Sequence, residues 1–340
     1  MNPKLPAIYF YISHFDWLCQ NMPESADIYL PHLSKQGIVD GEYCWILQTY
    51  LRLRDDGFPC QLTGTMPDEG IVLVHRNTLP FNFQPGPRLL IVCLKADKPA
   101  RPYAQIHLVQ NSYETKILRN SYSMLHWPQP GLIPREPSRG DKFETVAFCG
   151  TGGNLAPELL DPSWREELKA LGLQWCFKNR WQWNDFSNVD VILAVRSFGS
   201  TNSGVWKPPT KLYNAWHAGV PAILAPEPAF RDLRRSDLDY LEVSSLDETI
   251  AALKRLRDDK ELRQAMIENG HIRAEETKPE KLVAMWRSFL IDVAVPAYES
   301  WCNTSSISKQ VWLTRKYFGI KLNGLRGRLQ SLFNIPKSLR

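Results

Sequence analysis

The stretch VWKPPTKLYNAWHAGVPAILAPEP, residues 205–228, decides the fold class of this chain. Pro208 and Pro209 end the loop that opens it, because proline fixes φ and lacks a backbone N–H. Thr210 then stands where an N-cap belongs, and the apolar spacing after it predicts a helix. Gly219 ends that helix, and the following apolar run VPAIL is typical of a buried parallel strand. A helix that leads through a glycine turn into such a strand indicates an α/β protein.

The start of this helix is a candidate anion site. Thr210, Lys211 and Asn214 lie in or next to its first turn. The free N–H groups and the positive end of the helix dipole attract negative charge there, and the lysine adds a full positive charge. The same pattern also fits an ordinary βα unit in which Lys211 is only solvated.

The segment KLYNAWHAGVPAIL, residues 211–224, resembles the K-x-x-E-A-x-x-x-G-x-P-x-I segment in the C-terminal domain of GT-B glycosyltransferases. The resemblance implies that the helix holds the diphosphate and ribose of a nucleotide sugar, with Asn214 close to the ribose. Asn214 stands where many retaining members carry the second Glu of an E-x7-E pair, and neither Trp206 nor Lys207 supplies the first. The two missing carboxylates speak against the retaining mechanism of the E-x7-E type.

The resemblance covers residues 143–295 and implies a GT-B fold, in which two Rossmann-like βαβ domains face each other across a cleft. The proline- and glycine-rich connector HWPQPGLIPREPSRGDK, residues 126–142, marks the boundary between two series of strands and helices. We therefore predict three parts: an acceptor domain over 1–134, a donor domain over 143–295, and a return-crossing helix with a basic amphipathic tail over 296–340.

A glycine turn opens the second predicted domain, in the stretch TVAFCGTGGNLAPELL. An apolar strand, a glycine turn and a helix in this order are typical of a phosphate-binding loop. The spacing is not G-x-G-x-x-G, and no acidic residue follows a second strand near position 170, which disfavours a dinucleotide-dependent dehydrogenase. A glycine turn without a ligand remains the alternative. The predicted donor-binding residues of this turn are Gly150, Thr151, Gly152, Gly153 and Asn154.

Two arginines complete the predicted donor site. Arg196 leaves the carboxyl end of the apolar run VDVILAV, where ligands of open α/β sheets bind, so we expect it to hold the diphosphate together with Lys211. The resemblance implies that the nucleobase lies over residues 178–183, where Arg180, Trp181 and Trp183 are available for stacking. Core or interdomain packing is the alternative for these tryptophans.

The resemblance also implies a position for a catalytic base. Some inverting GT-B families carry a catalytic His or Asp in the loop after the first strand, and His14 and Asp16 follow the apolar run AIYFYIS here. A capping or buried polar role is the alternative for each. The seven cysteines form no C-x-x-C, and no His/Cys cluster has zinc spacing. We therefore expect no metal and no cofactor, since the nucleotide sugar is a substrate.

The charge of the chain is concentrated at its C-terminus. The net charge is +5 over 340 residues, but residues 300–340 contain eight Lys/Arg and no Asp or Glu, which leaves −3 for the rest. This distribution argues against a nucleic-acid-binding body and predicts contact of residues 303–340 with an anionic membrane surface. A disordered or partner-binding tail is the alternative. Neither a signal peptide nor a membrane-spanning run is recognisable, so we expect a cytoplasmic protein, peripheral on the inner face of the cell membrane.

Together these features predict a glycosyltransferase that moves a sugar from a nucleotide-sugar donor to the hydroxyl of a sugar or lipid-linked acceptor. Surface polysaccharide, lipopolysaccharide or glycolipid assembly is the expected setting. A GT-B epimerase is one alternative, whereas a phosphorylase is disfavoured because no pyridoxal lysine motif is evident. A non-catalytic GT-B-like binding or scaffold protein is the other, because the E-x7-E carboxylates are missing.

Overall fold

The computed structural model describes residues 5–13, 22–26, 41–179, 181–199 and 204–332, with side chains described up to residue 322. Within these ranges the chain forms two all-parallel sheets, one of six strands and one of five. In each sheet, helices lie between some of the consecutive strands, and loops join the others. The predicted α/β architecture of two Rossmann-like domains is therefore confirmed.

The first sheet has the strand order β2-β1-β3-β4-β5-β6. Its two central strands are buried over six of their seven residues, as expected for a parallel sheet that is covered on both faces. A π-helical turn, Tyr43–Leu47, leads into the first helix. The elements are β1 (Ile8–Tyr11), α1 (Gln48–Asp55), β2 (Gln61–Thr63), β3 (Glu69–His75), β4 (Arg88–Leu94), β5 (Ile106–Val109), α2 (Ser112–Ile117) and β6 (Ser121–Ser123).

The second sheet has the order β11-β10-β9-β7-β8. Its first strand, β7, lies between β8 and β9, so the connection from β7 to β8 and the connection from β8 to β9 run in opposite directions along the sheet. Such a switch point opens a crevice at the carboxyl ends of the strands. The elements are β7 (Thr145–Cys149), α3 (Pro162–Ala170), β8 (Gln174–Lys178), β9 (Val191–Ala194), α4 (Thr210–Ala218), β10 (Ala222–Leu224), α5 (Pro228–Leu233), β11 (Leu241–Glu242), α6 (Leu246–Asp258) and α7 (Lys260–Ala274).

Helix α4 differs from the prediction at its first residue. Thr210 was expected to be the N-cap, but this prediction is wrong: the cap is Pro209, and no side chain caps the helix. The carbonyl of Pro209 accepts the N–H groups of Leu212 and Tyr213, so the helix begins one residue earlier than expected. Thr210 is therefore the first residue of the helix, and its hydroxyl does not serve as a cap.

Gly270 lies inside α7 without interrupting it. The helix runs through it to Ala274, and Gly270 faces Trp216 of α4. A Cβ at position 270 would lie 3.1 Å from Cδ1 of that indole. The glycine therefore allows close packing of α7 on α4 and does not break the helix.

The chain returns to the first domain from Pro279 onward. Leu282, Trp286, Leu290 and Trp301 belong to the same buried core as strands β1, β3 and β4. Residues 279–295 thus pack on the first sheet, although they follow the second domain in sequence. The crossing consists of α8 (Pro279–Ser288), a π-helical turn (Phe289–Ala294) and α9 (Val295–Asn303), and α10 (Ser306–Leu332) follows. Within the described ranges, no helix combines the length and apolar content that a bilayer crossing requires.

Candidate functional site

A cavity of about 360 Å³ lies between the two domains, at the carboxyl end of β7 and the start of α4. Its first-domain wall contains Gly41, Cys44, His126 and Trp127. Six of the predicted donor-binding residues line its second-domain wall: Gly150, Thr151, Asn154, Thr210, Lys211 and Asn214. Two segments about 60 residues apart in sequence thus meet at the switch point of the second sheet.

Lys211 provides a positive charge in this cavity. Its ammonium lies 5.2 Å from the centre of the Phe148 ring. Among the described residues it forms no ion pair within 4 Å, and the nearby Glu227 carboxylate is bound by Arg196. Burial, followed by the nearby Arg196 guanidinium, lowers the pKa of Lys211 to about 7. An anionic ligand would stabilise the protonated form and raise that pKa again.

Gly150 allows this arrangement of Lys211 and Phe148. A Cβ at position 150 would lie 3.0 Å from the Phe148 ring and 3.4 Å from Nζ of Lys211. Any larger residue would therefore push the ring or the ammonium away. The glycine turn after β7 thus brings the backbone close to the lysine.

The rest of the glycine turn lies at the rim of the cavity. Gly152 to Asn154 form a 3-10 turn, and the side-chain amide of Asn154 donates to Oγ1 of Thr151 at 2.7 Å. Thr151 and Asn154 line the cavity, but Gly152 and Gly153 are not among its lining residues. Two of the five predicted residues in this turn therefore lie outside the cavity wall.

Arg196 does not line the cavity. Its Nη1 is bound by both carboxylate oxygens of Glu227, which is buried. To contact a diphosphate, the guanidinium would have to leave this acid. The Glu227 partner was not foreseen from the sequence.

Asn214 links α4 to the connector between the domains. Its Oδ1 accepts a hydrogen bond of 2.9 Å from the backbone N–H of Gln129. The neighbouring Tyr213 donates its hydroxyl to the carbonyl of His126 at 2.9 Å. Asn214 is buried yet lines the cavity, so its NH₂ group is the part that remains to contact a ligand.

His126 is a cavity residue that the sequence analysis missed. Its Nδ1 lies 2.8 Å from the carbonyl of Trp127, so Nδ1 carries the hydrogen and Nε2 is the acceptor. The ring packs edge-on against Trp45 at 4.6 Å. Burial lowers the pKa of His126 to about 4, which keeps the imidazole neutral at physiological pH. The residue opens the proline-rich connector, for which the sequence predicted only a domain boundary.

Comparisons with known proteins agree with the fold described above. No family model and no curated protein sequence matches the chain. HepE of Anabaena, solved with UDP and glucose, superimposes with a TM-score of 0.50 over 85% of this chain and 100% of that chain, at 12% identity. The HepE complex with UDP-glucose gives the same values. The chain has the GT-B fold. Sucrose-phosphate synthase of Thermosynechococcus elongatus is a further similar structure, with a TM-score of 0.45 at 13% identity over 81% of this chain and 80% of that chain.

The two domains of this GT-B chain are joined next to the cavity by hydrogen bonds from the end of β5. The side-chain amide of Asn111 donates to the carbonyls of Val205 and Lys207 at 2.9 and 3.1 Å. Gln110 donates to the carbonyl of Trp206 at 2.9 Å. Three consecutive backbone carbonyls of the second domain are thus held by the first domain. The segment they belong to leads directly into α4.

Charged groups reinforce this contact. Lys207 pairs with Asp97 of the first domain, and the ammonium of Lys95 lies 4.5 Å from the ring of Trp206. Lys207 therefore has a partner in the first domain. The Lys207 side chain thus forms an ion pair between the two GT-B domains.

Three predicted site residues, His14, Asp16 and Arg180, lie outside the described residues. Trp183 lines the cavity, whereas Trp181 is exposed. Ser13, immediately before His14, donates its backbone N–H to Oε1 of Glu42 at 2.7 Å. In the part of the chain that the structure describes, no three His, Cys, Asp or Glu side chains come together in a way that could hold a metal ion.

Proposed function

We propose that this protein is a glycosyltransferase that moves a sugar from a nucleotide-sugar donor to an acceptor hydroxyl. The observation that carries the proposal is the position of the Lys211 ammonium. Its ammonium lies in a cavity between two GT-B domains, and no carboxylate of the described residues forms an ion pair with it. A diphosphate is the kind of ligand that such a group binds.

Lys211 and the start of α4 would bind the donor diphosphate. The helix supplies free N–H groups, Thr210 a hydroxyl, and Gly150 a close backbone approach. Arg196 would bind the diphosphate together with these groups if its guanidinium released the Glu227 carboxylate in exchange for the more highly charged diphosphate. In glycosyl transfer these groups stabilise the charge that develops on the leaving nucleotide diphosphate. Asn214 would meet the ribose. UDP is the nucleotide we propose to test first, because the HepE structures contain UDP, glucose or UDP-glucose.

The acceptor would enter on the first-domain side of the cavity. His14 or Asp16 remains our prediction for the base that takes the acceptor proton. Neutral His126 would accept a hydrogen bond from a sugar hydroxyl through Nε2. The basic C-terminal helix supports a lipid-linked acceptor, as in surface polysaccharide, lipopolysaccharide or glycolipid assembly.

The absence of a carboxylate at positions 206, 207 and 214 argues against a mechanism of the E-x7-E type. Lys207 pairs with Asp97, and Asn214 accepts the N–H of Gln129. Neither position offers a carboxylate to a donor. Because these carboxylates are missing, a non-catalytic role as a binding or scaffold protein is the second candidate function.

Two measurements test the proposal. A thermal-shift screen with UDP, GDP, ADP, CMP and their sugars identifies the donor, since a ligand at 100 times its Kd stabilises the fold by about 2.7 kcal/mol. Nucleotide release from the selected donor, with and without simple acceptors, then measures turnover. We expect release, and faster release when an acceptor is present. A nucleotide that binds while no nucleotide sugar is turned over would favour the scaffold protein.

A further inference from the structure

Helix α10 is attached to the first domain by one face. Trp312 packs edge-on against Trp301 of α9, with ring centres 5.3 Å apart. The ammonium of Lys309 lies 5.5 Å from the Trp301 ring, and that of Lys316 lies 5.1 Å from the Trp312 ring. Trp301 itself belongs to the first-domain core. This inner face therefore holds the helix on the body of the protein.

The outer face of α10 is apolar and exposed. Ile307, Val311, Phe318 and Leu322 are 78%, 44%, 59% and 56% exposed. With about 100° of rotation per residue, these four positions lie within about 60° of one another. They form a stripe about 22 Å long at about 1.5 Å of rise per residue. In the part of α10 whose side chains are described, no protein group covers this stripe.

Cations border the stripe. Arg315 and Lys321 are exposed and, by the same helical geometry, lie on opposite sides of it. Lys321 also lies 5.5 Å from the ring of the exposed Tyr317. Residues 300–340 contain eight Lys/Arg and no acidic residue. The cations of this segment favour a partner with negative charge. The exposed apolar stripe favours a partner that can also bury apolar side chains.

We propose that the outer face of α10 lies on the surface of an anionic lipid bilayer. Ile307, Val311, Phe318 and Leu322 would enter the boundary between headgroups and acyl chains, while Arg315 and Lys321 bind lipid phosphates. A bilayer satisfies both requirements at once. A second copy of the chain would bring cations of the same sign together and is therefore the less favourable occupant. The donor site plays no part in this proposal, so the two stand or fall separately.

Vesicle co-sedimentation with the full chain tests the proposal. Vesicles of phosphatidylglycerol and phosphatidylcholine are compared with vesicles of phosphatidylcholine alone. Ile307→Glu and Phe318→Glu should lower binding to the anionic vesicles at least about tenfold. Ile272→Glu is the matched control, because Ile272 is 70% exposed on α7 of the second domain and the substitution is the same. The Ile272→Glu variant should bind the anionic vesicles as strongly as the unchanged protein.

Two further readouts separate the outcomes. Equal melting temperatures of the variants show that the fold persists, and light scattering measures self-association. Loss of binding only in the α10 variants supports the proposal. It is overturned if the unchanged protein does not prefer anionic vesicles, or if Ile307→Glu and Ile272→Glu bind alike. It is also overturned if Ile307→Glu turns a dimer into a monomer and vesicles bind neither, since the occupant is then a second copy.

Discussion

The side-chain amide of Asn111 donates a hydrogen bond of 2.9 Å to the backbone carbonyl of Val205, across the boundary between the two domains. The same amide reaches the carbonyl of Lys207, three residues before α4 begins. The position of the lysine-bearing helix start therefore depends on a first-domain side chain. We expect the geometry of the donor site to respond to changes at Asn111.

Asn111→Asp should loosen the segment that leads into α4. The aspartate keeps the oxygen that caps Glu114 of α2, but it loses the N–H groups that bind the two carbonyls. Two hydrogen bonds of about 1 kcal/mol each correspond to roughly thirtyfold faster amide exchange by local opening. Hydrogen exchange measures this over residues 205–216. Strand β7 is the internal control, and unchanged exchange over 205–216 would contradict the coupling.

UDP affinity should fall as the pH rises above 7. The pKa of Lys211 is about 7 in the free protein, and a bound diphosphate raises it. The charged lysine that binds the ligand is thus present below pH 7 and is lost at higher pH, so binding takes up a proton. The affinity should fall roughly three- to tenfold between pH 7.5 and 9, where the diphosphate itself no longer titrates, because the ten- to hundredfold contribution of the charged lysine limits the total loss. Calorimetry across this range measures the slope.

The matched control for this pH dependence is Lys211→Met, in which the slope should disappear. Lys254→Met, which changes an exposed lysine on α6, should keep it. A slope that persists in Lys211→Met would assign the titration to another group.

Gly70→Ala should destabilise the protein far more than Gly57→Ala. Both glycines have positive φ, at +101° and +73°, so either alanine carries backbone strain of roughly 1–2 kcal/mol. A Cβ at Gly57 meets nothing within 4 Å, but one at Gly70 would lie 2.6 Å from the carbonyl oxygen of Ala7. That clash between β1 and β3 adds about 1–3 kcal/mol. Urea unfolding gives both losses, and equal values would contradict the packing described for β3.

The predictable parts of this structure are those that local sequence encodes. Leu212, Ala215 and Trp216 show the helical spacing of α4, and Gly219 adopts the left-handed conformation that ends it, with φ of 68°. Each signal lies within a few residues of the feature it specifies. The order of strands and helices then follows from the repetition of such units, which is why the α/β fold was predictable.

The unforeseen parts depend on residues that are distant in sequence. Arg196 and Glu227 are 31 residues apart, and Lys207 and Asp97 are 110 residues apart. No local pattern indicates that such charges will meet. His126 was missed for the same reason: only the packing of the two domains brings the start of the connector next to α4.

The most direct test of the account is the calorimetric affinity of UDP for Lys211→Met. A charge-assisted hydrogen bond to a phosphate contributes roughly 1.5–3 kcal/mol, so we expect binding about ten- to a hundredfold weaker than in the unchanged protein. Lys254→Met should bind UDP like the unchanged protein, and both variants should keep the fold. Equal UDP affinity in Lys211→Met and the unchanged protein would contradict the claim that the cavity between the domains binds the donor diphosphate through Lys211.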